Sequence, residues 1–283
     1  MYGFLLSFVS VSTKGVMSLK IRNIEVGNRI GEASKFRIYL GTMDDQRPVI
    51  MKVAKAFEDG SILAEEAGKF NVLRAFSEQV AEFEKAQNGH SSRYDQLFAN
   101  IVTSFMEPSQ GDRRINVFET PDIDLSKLVP LTKLQAEVEI DVRTSIWIIG
   151  RLFKFYGFFE LLAESGDNPI VRYPVFSPDD YLIGPKEHRL IYYNFSKDIA
   201  DVVAFDFVKA IAKFILGWVV VGDDTAEQEY LELLNHFSEH GRTSFEKAHE
   251  DLYALVRRHW GIQYYPFTYR DRDTFVWKTI KED

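Results

Sequence analysis

The sequence predicts an α+β chain with two unlike halves, a small five-stranded antiparallel sheet with one helix followed by a mainly helical second half. Three observations carry this. Segments rich in β-formers dominate up to residue 53 and return near 101–106 and 115–118. After Pro121-Asp122 the hydrophobic spacing changes to a helical repeat. The length, 283 residues, is about twice a common domain and gives room for two lobes sharing a cleft.

The elements follow in order. Residues 20–26, 36–40 and 48–53 read as strands separated by Gly and Asp turn clusters, the start of an antiparallel meander. Leu63, Ala67, Phe70, Leu73 and Phe76 then recur at helical spacing over 61–76, with Glu65 and Glu66 early in the helix. The polar stretch 84–94 breaks that spacing and reads as a loop or helix end. Strands near 101–106 and 115–118 complete a first lobe, residues 17–121. In the second lobe, residues 122–283, helices are expected at 134–163, 201–220, 225–238 and 243–259, interrupted by a strand pair at 181–183 and 189–193. Residues 1–16 read as an extension, with Met17 as a candidate start; 4–11 are apolar but lack the basic flank and cleavage site of a signal peptide.

Composition excludes several classes. At 46% hydrophobic residues the chain is too apolar for disorder, and a net charge of −8 removes the electrostatic footprint of a duplex nucleic-acid binder. The absence of cysteine excludes disulfides and thiolate chemistry and fits a reducing, cytoplasmic setting. Two apolar runs approach membrane-span length, but Arg151 and Lys154 interrupt one and Asp206, Lys209 and Lys213 the other. Both read as buried helices of the core, so neither a membrane nor a nucleic-acid partner is expected.

The chemistry-bearing residues sit at four places. Ile30-Gly-Glu-Ala-Ser-Lys-Phe36 lies between the first two strands, and Val49-Ile-Met-Lys52 forms the third strand with Glu66 on the helix behind it. Asn116-Val-Phe-Glu119 ends the fifth strand. Ser177-Pro-Asp-Asp180 and Tyr193-Asn-Phe195 flank the later strand pair. In this order the segments resemble a eukaryotic-type protein kinase over residues 24–220. The resemblance implies that Gly31, Lys52, Glu66 and Glu119 line an ATP cleft, that Lys52 and Glu66 form an ion pair, and that Asp180 and Asn194 stand at the Mg²⁺ ligand positions.

The same comparison marks this chain as a degenerate, pseudokinase-like member. The catalytic-loop aspartate falls on Val175, which can neither accept a proton nor hydrogen-bond a hydroxyl, so no catalytic residue is assigned. The metal aspartate falls on Asn194, a neutral and weaker ligand, which leaves only weak Mg²⁺ binding. Ala33 and Phe36 replace later glycines of the phosphate loop. Four residues, 197–200, separate Asn-Phe-Ser from Asp201, too few for a peptide-docking segment.

The expected function is therefore a binding or regulatory module for a protein partner, without protein kinase activity. Two alternatives stand beside it: an atypical ATP-dependent small-molecule phosphotransferase or nucleotidyltransferase using Lys52, Glu66 and Asp180, and an unrelated α+β protein. Asp179-Asp180 also reads as an ordinary turn, and Asp201 as a helix N-cap. The aromatic stretch 260–269 reads either as packing back on the helical lobe or as a partner patch.

Overall fold

The computed structural model describes residues 19–120, 123–165, 173–195, 206–240, 243–261 and 265–280. Its first part is a sheet of β1 (Lys20–Ile21), β2 (Ile24–Glu32), β3 (Phe36–Met43), β4 (Pro48–Ala54), β5 (Asn100–Glu107) and β6 (Arg113–Glu119). The spatial order is β1-β2-β3-β4-β6-β5, antiparallel throughout. The sheet has six strands where five are expected, because the first predicted strand is split. Arg22 adopts φ 54°, so the two-residue β1 folds back onto β2 with Ile21 opposite Ile24.

Strand alternation sorts the sheet into two faces. Val49 and Met51 of β4 and Ile115 and Val117 of β6 join Ile21, Ile24 and Phe105 in an outer apolar cluster. Ile50 and Phe118 point the other way, into the main core, and Lys52 and Asn116 lie on that same inner face. Helix α1 (Gly60–Asn88) covers it through Leu63, Phe70 and Leu73.

Helix α1 runs well past the expected 61–76 and ends at Asn88, inside the stretch 84–94 read as a loop or helix end. The stretch Ala81-Glu-Phe-Glu-Lys-Ala-Gln87 has little apolar periodicity but is rich in strong helix formers, so propensity sustains the helix where periodicity does not. Gly89 ends it in the left-handed conformation, φ 74°, with its N–H on the Lys85 carbonyl.

The second part holds β7 (Val129–Pro130), α2 (Leu131–Glu137), β8 (Val138–Ile140), α3 (Val142–Glu164), β9 (Tyr181–Gly184), β10 (Arg189–Tyr192), α4 (Phe207–Leu216), α5 (Thr225–His240), α6 (Phe245–His259), β11 (Phe267–Asp271) and β12 (Trp277–Ile280). The strand pair and the last two helices fall close to their expected positions. Asp201 and the start of the helix expected at 201–220 lie outside the described residues; the described part runs from Phe207, with Asp206 Oδ1 accepting from Lys209 N at 3.0 Å.

One expected helix, 134–163, is two helices with a strand between them. Val138 and Ile140 are β-branched and pair with β11, and Asp141 then starts α3 by accepting from Thr144 N at 2.9 Å. Glu139 anchors the join through Arg270 Nε at 2.8 Å and Arg272 Nη1 at 3.2 Å. The C-terminal segment is thus a β-hairpin, β11–β12, packed on the helical part. No helix among the described residues is long and apolar enough to cross a membrane.

Gly41 shows how closely β3 is packed. A Cβ there would lie 2.9 Å from Ile24 Cγ2, 3.0 Å from Met51 Sδ and 3.2 Å from the Glu25 carbonyl oxygen. Gly41→Val is expected to cost about 1–3 kcal/mol by overpacking, read as a lower urea midpoint with an unchanged slope.

Candidate functional site

The site forms where the inner face of the sheet meets α1 and the β9–β10 pair. Lys52 on β4 lies directly opposite Asn116 on β6, and neither is exposed to solvent. The Lys52 ammonium donates to Glu66 Oε1 and, at 2.8 Å, to Asn194 Oδ1. Asn194 Nδ2 in turn donates to Asp180 Oδ1 at 2.5 Å. Glu66 also accepts from Asn116 Nδ2 at 3.1 Å and from the Phe195 backbone N–H at 3.2 Å. A continuous buried network therefore runs Asp180–Asn194–Lys52–Glu66–Asn116.

The chemistry of the neighbours fixes the direction of the Asn194 amide. Reversing it would set its NH₂ against the ammonium and its carbonyl against the Asp180 carboxylate. Asn194 thus serves as a neutral bridge, acceptor to the cation and donor to the anion. Burial pushes the Lys52 ammonium below the ordinary lysine range, and Glu66 and Asp180 pull it back up. The Tyr193 hydroxyl is pushed up, first by burial and then by the Asp180, Asp179 and Glu66 carboxylates.

Aromatic rings close the space around the cation. Lys52 Nζ lies 5.4 Å from the Phe36 ring centroid, 5.1 Å from Phe118 and 5.5 Å from Tyr193, each within cation–π range. Behind them a column of rings crosses from sheet to helices: Phe118 to Phe70 at 5.0 Å, Phe70 to Phe195 at 5.1 Å, Phe195 to Tyr192 at 5.0 Å and Tyr192 to Phe155 at 4.8 Å.

Four of the six residues singled out from the sequence meet here: Lys52, Glu66, Asp180 and Asn194. Gly31 sits in the same cross-strand row as Lys52 but two strands away, paired with Ile38. Glu119 is apart from the cluster, its carboxylate accepting from Arg47 Nη1 at 2.7 Å near the surface. Asn116 is the member that sequence reasoning passed over. Its signal was a lone amide in the apolar run Ile115-Asn-Val-Phe118 of a central strand, where a polar group needs a buried partner. Its Oδ1 has none, although Nδ2 also reaches the Leu63 carbonyl at 2.8 Å.

This arrangement does not fit a divalent cation. Asn194 turns its oxygen to Lys52 and its NH₂ to Asp180, so the oxygen that would ligate a metal already faces a positive charge. Among the described residues, no three Asp, Glu or His side chains are grouped to hold a metal. Nor does it fit a triphosphate, since the ammonium is buried, enclosed by three rings and already bonded to Glu66 and Asn194.

Removing the cation should leave two buried carboxylates without their counter-charge. Lys52→Met is expected to lose about 3–5 kcal/mol in urea denaturation. The double variant Lys52→Met/Glu66→Gln is expected to lose clearly less than the two single losses added together. A Lys52→Met protein as stable as the parent would show that the ammonium is not a structural tie.

No protein-family profile matches the chain, and no curated protein matches it in sequence. The structure is similar to that of an apo pseudokinase, with 12% identity and a TM-score of 0.51 over 81% of this chain and 90% of that one. The kinase domain of Mycobacterium tuberculosis PknI is similar over 84% of this chain and 98% of its own, at 11% identity and a TM-score of 0.48. Six antiparallel strands with one long helix, then a helical part holding a small strand pair, give this chain a protein-kinase-like fold of the α+β class.

Proposed function

We propose that this kinase-like protein does not transfer phosphoryl groups and acts as a binding or regulatory module for a protein partner in the cytoplasm. The observation that carries the reading is the Asn194 amide bridging Lys52 to Asp180, which puts a neutral hydrogen-bonded link where a metal would have to sit. Val175 adds to it, because an apolar side chain can neither take nor orient a hydroxyl proton. The absence of cysteine supports the cytoplasmic part of the reading.

A second reading has one observation in its favour. The Lys52–Glu66 ion pair is formed, and in phosphoryl transfer such a pair positions a phosphate lysine. An atypical ATP-dependent transferase would then use Lys52, Glu66 and Asp180. It would first have to open the ring of Phe36, Phe118 and Tyr193 and break the Asn194 bridge.

Calorimetric titration of ATP into the folded protein, with Mg²⁺ or Mn²⁺, separates the two. The module reading expects no phosphate release, and no metal-dependent heat that disappears in a folded Lys52→Ala variant. Metal-dependent heat lost in Lys52→Ala, together with phosphate release, would falsify it and favour the transferase. The same titration on Phe36→Ala asks whether the ring alone closes the site; the bridge predicts that this variant still fails to bind metal-nucleotide.

A further inference from the structure

A groove of about 1260 Å³ runs along the outside of α3 and α6, away from the Lys52 network. Its floor is one face of α3, where Trp147, Arg151 and Lys154 recur at helical spacing. Tyr253 and His249 of α6 form one wall. The electrostatics here are unusual for a part-buried surface. Arg151 and Lys154 are half-buried, and among the described residues neither makes an ion pair. Lys154 rests on the Tyr94 ring, 5.0 Å from its centroid.

The neighbours make this worse rather than better. Burial, then the like charge of Arg189, pushes the Arg151 guanidinium down from its ordinary range. Burial and Arg151 do the same to Lys154, with Glu84 and Asp95 only partly offsetting them at a distance. Burial and Lys154 push His249 down, against the pull of Glu250. The nearest acidic group on α3 is already engaged: both oxygens of Glu160 accept from Phe245 N at 3.1 Å, at the start of α6. The Trp147 indole N–H is buried with no acceptor. Glu84, Glu160, Glu164, Glu246 and Glu250 also line the groove, but among the described residues none forms an ion pair with Arg151 or Lys154, so two half-buried cations are left beside aromatic walls without a carboxylate partner, an arrangement that suits an anion.

We propose that this stretch of the groove binds a multiply charged anion, its phosphate or carboxylate groups on Arg151 and Lys154 and an apolar or aromatic body against Trp147 and Tyr253. A guanidinium and an ammonium one turn apart on a helix can hold two anionic groups of one ligand, and the guanidinium can take one of them in bidentate fashion. The site is separate from the cleft and stands whether or not the cleft takes nucleotide.

The test uses tripolyphosphate, citrate and ADP as probes on the full chain, by calorimetry and thermal melting at two salt concentrations. At least one probe is expected to bind at 1:1 stoichiometry with an affinity that falls as salt rises. Binding is expected to weaken about tenfold or more in Arg151→Gln/Lys154→Gln. Without ligand, that variant is expected to melt at or above the parent temperature, because like-charge repulsion is relieved. Tripolyphosphate alone would assign phosphate, citrate alone carboxylate, and ADP tighter than tripolyphosphate would assign a role to the aromatic wall. The proposal fails if no probe binds the parent at millimolar concentration. It fails equally if binding is unchanged in the double variant, as it would be for a ligand held in the cleft. A melting temperature several degrees below the parent, in the double variant and in Arg151→Gln alone, would also overturn it by making the two cations structural.

Discussion

A lysine ammonium sealed inside the protein is the constraint on which the rest of the molecule depends. A buried cation without counter-charge costs several kcal/mol, so every element that reaches Lys52 must arrive with an acceptor in place. Glu66 comes from α1, Asn194 from the end of β10, and Asp180 from the turn before β9. Lys52 and Asn194 are 142 residues apart, so the bond ties the sheet to the helical part. The Phe195 N–H on Glu66 repeats that tie through the backbone. The aromatic column from Phe118 to Phe155 fills the space around it and excludes water, which strengthens each charged hydrogen bond.

Asn194 changes the chemistry of this point without changing its geometry much. A carboxylate there would repel Asp180 and need a cation between them. An amide satisfies both neighbours at once and leaves nothing for a metal to do. Phe36 works in the same direction at the mouth of the site, a ring where a phosphate loop needs open backbone. The fold is kinase-like, and the same positions that could hold a metal-nucleotide are used to hold the protein together.

Much of this was legible in the sequence because it is local. The strands, the helix behind them and the strand pair at 181–192 are read from spacing and strand signals, and the resemblance to a protein kinase then singles out Lys52 and Glu66 on them. What escaped was decided by tertiary partners. Residues 138–140 sit between helical patterns and become a strand because distant partners, β11 on one side and Trp218 and Val220 on the other, bond to them. Residues 84–88 lack periodicity, yet helix propensity carries α1 through them. The split at Arg22 needed a positive φ at a residue that rarely adopts one. At the site, an amide at 194 reads as a lost metal ligand; that it is a bridge follows only from the two charges brought to either side of it. Asn116 was passed over because its partners, Leu63 and Glu66, lie on another element.

The pairing of β8 with β11 sets a schedule for synthesis. Glu139 and Arg270 are 131 residues apart, so the short strand between α2 and α3 lacks its antiparallel neighbour until β11 has been made. At ribosomal speeds that interval is roughly 7–26 s, far longer than helix formation takes. Trp218, 80 residues after Val138, can hold the segment sooner, donating its indole N–H to the Val138 carbonyl at 2.9 Å while its own carbonyl accepts from Ile140 N at 3.3 Å. The hairpin is then the last piece of this corner to be made, and its β11 closes the open edge of Val138-Glu-Ile140.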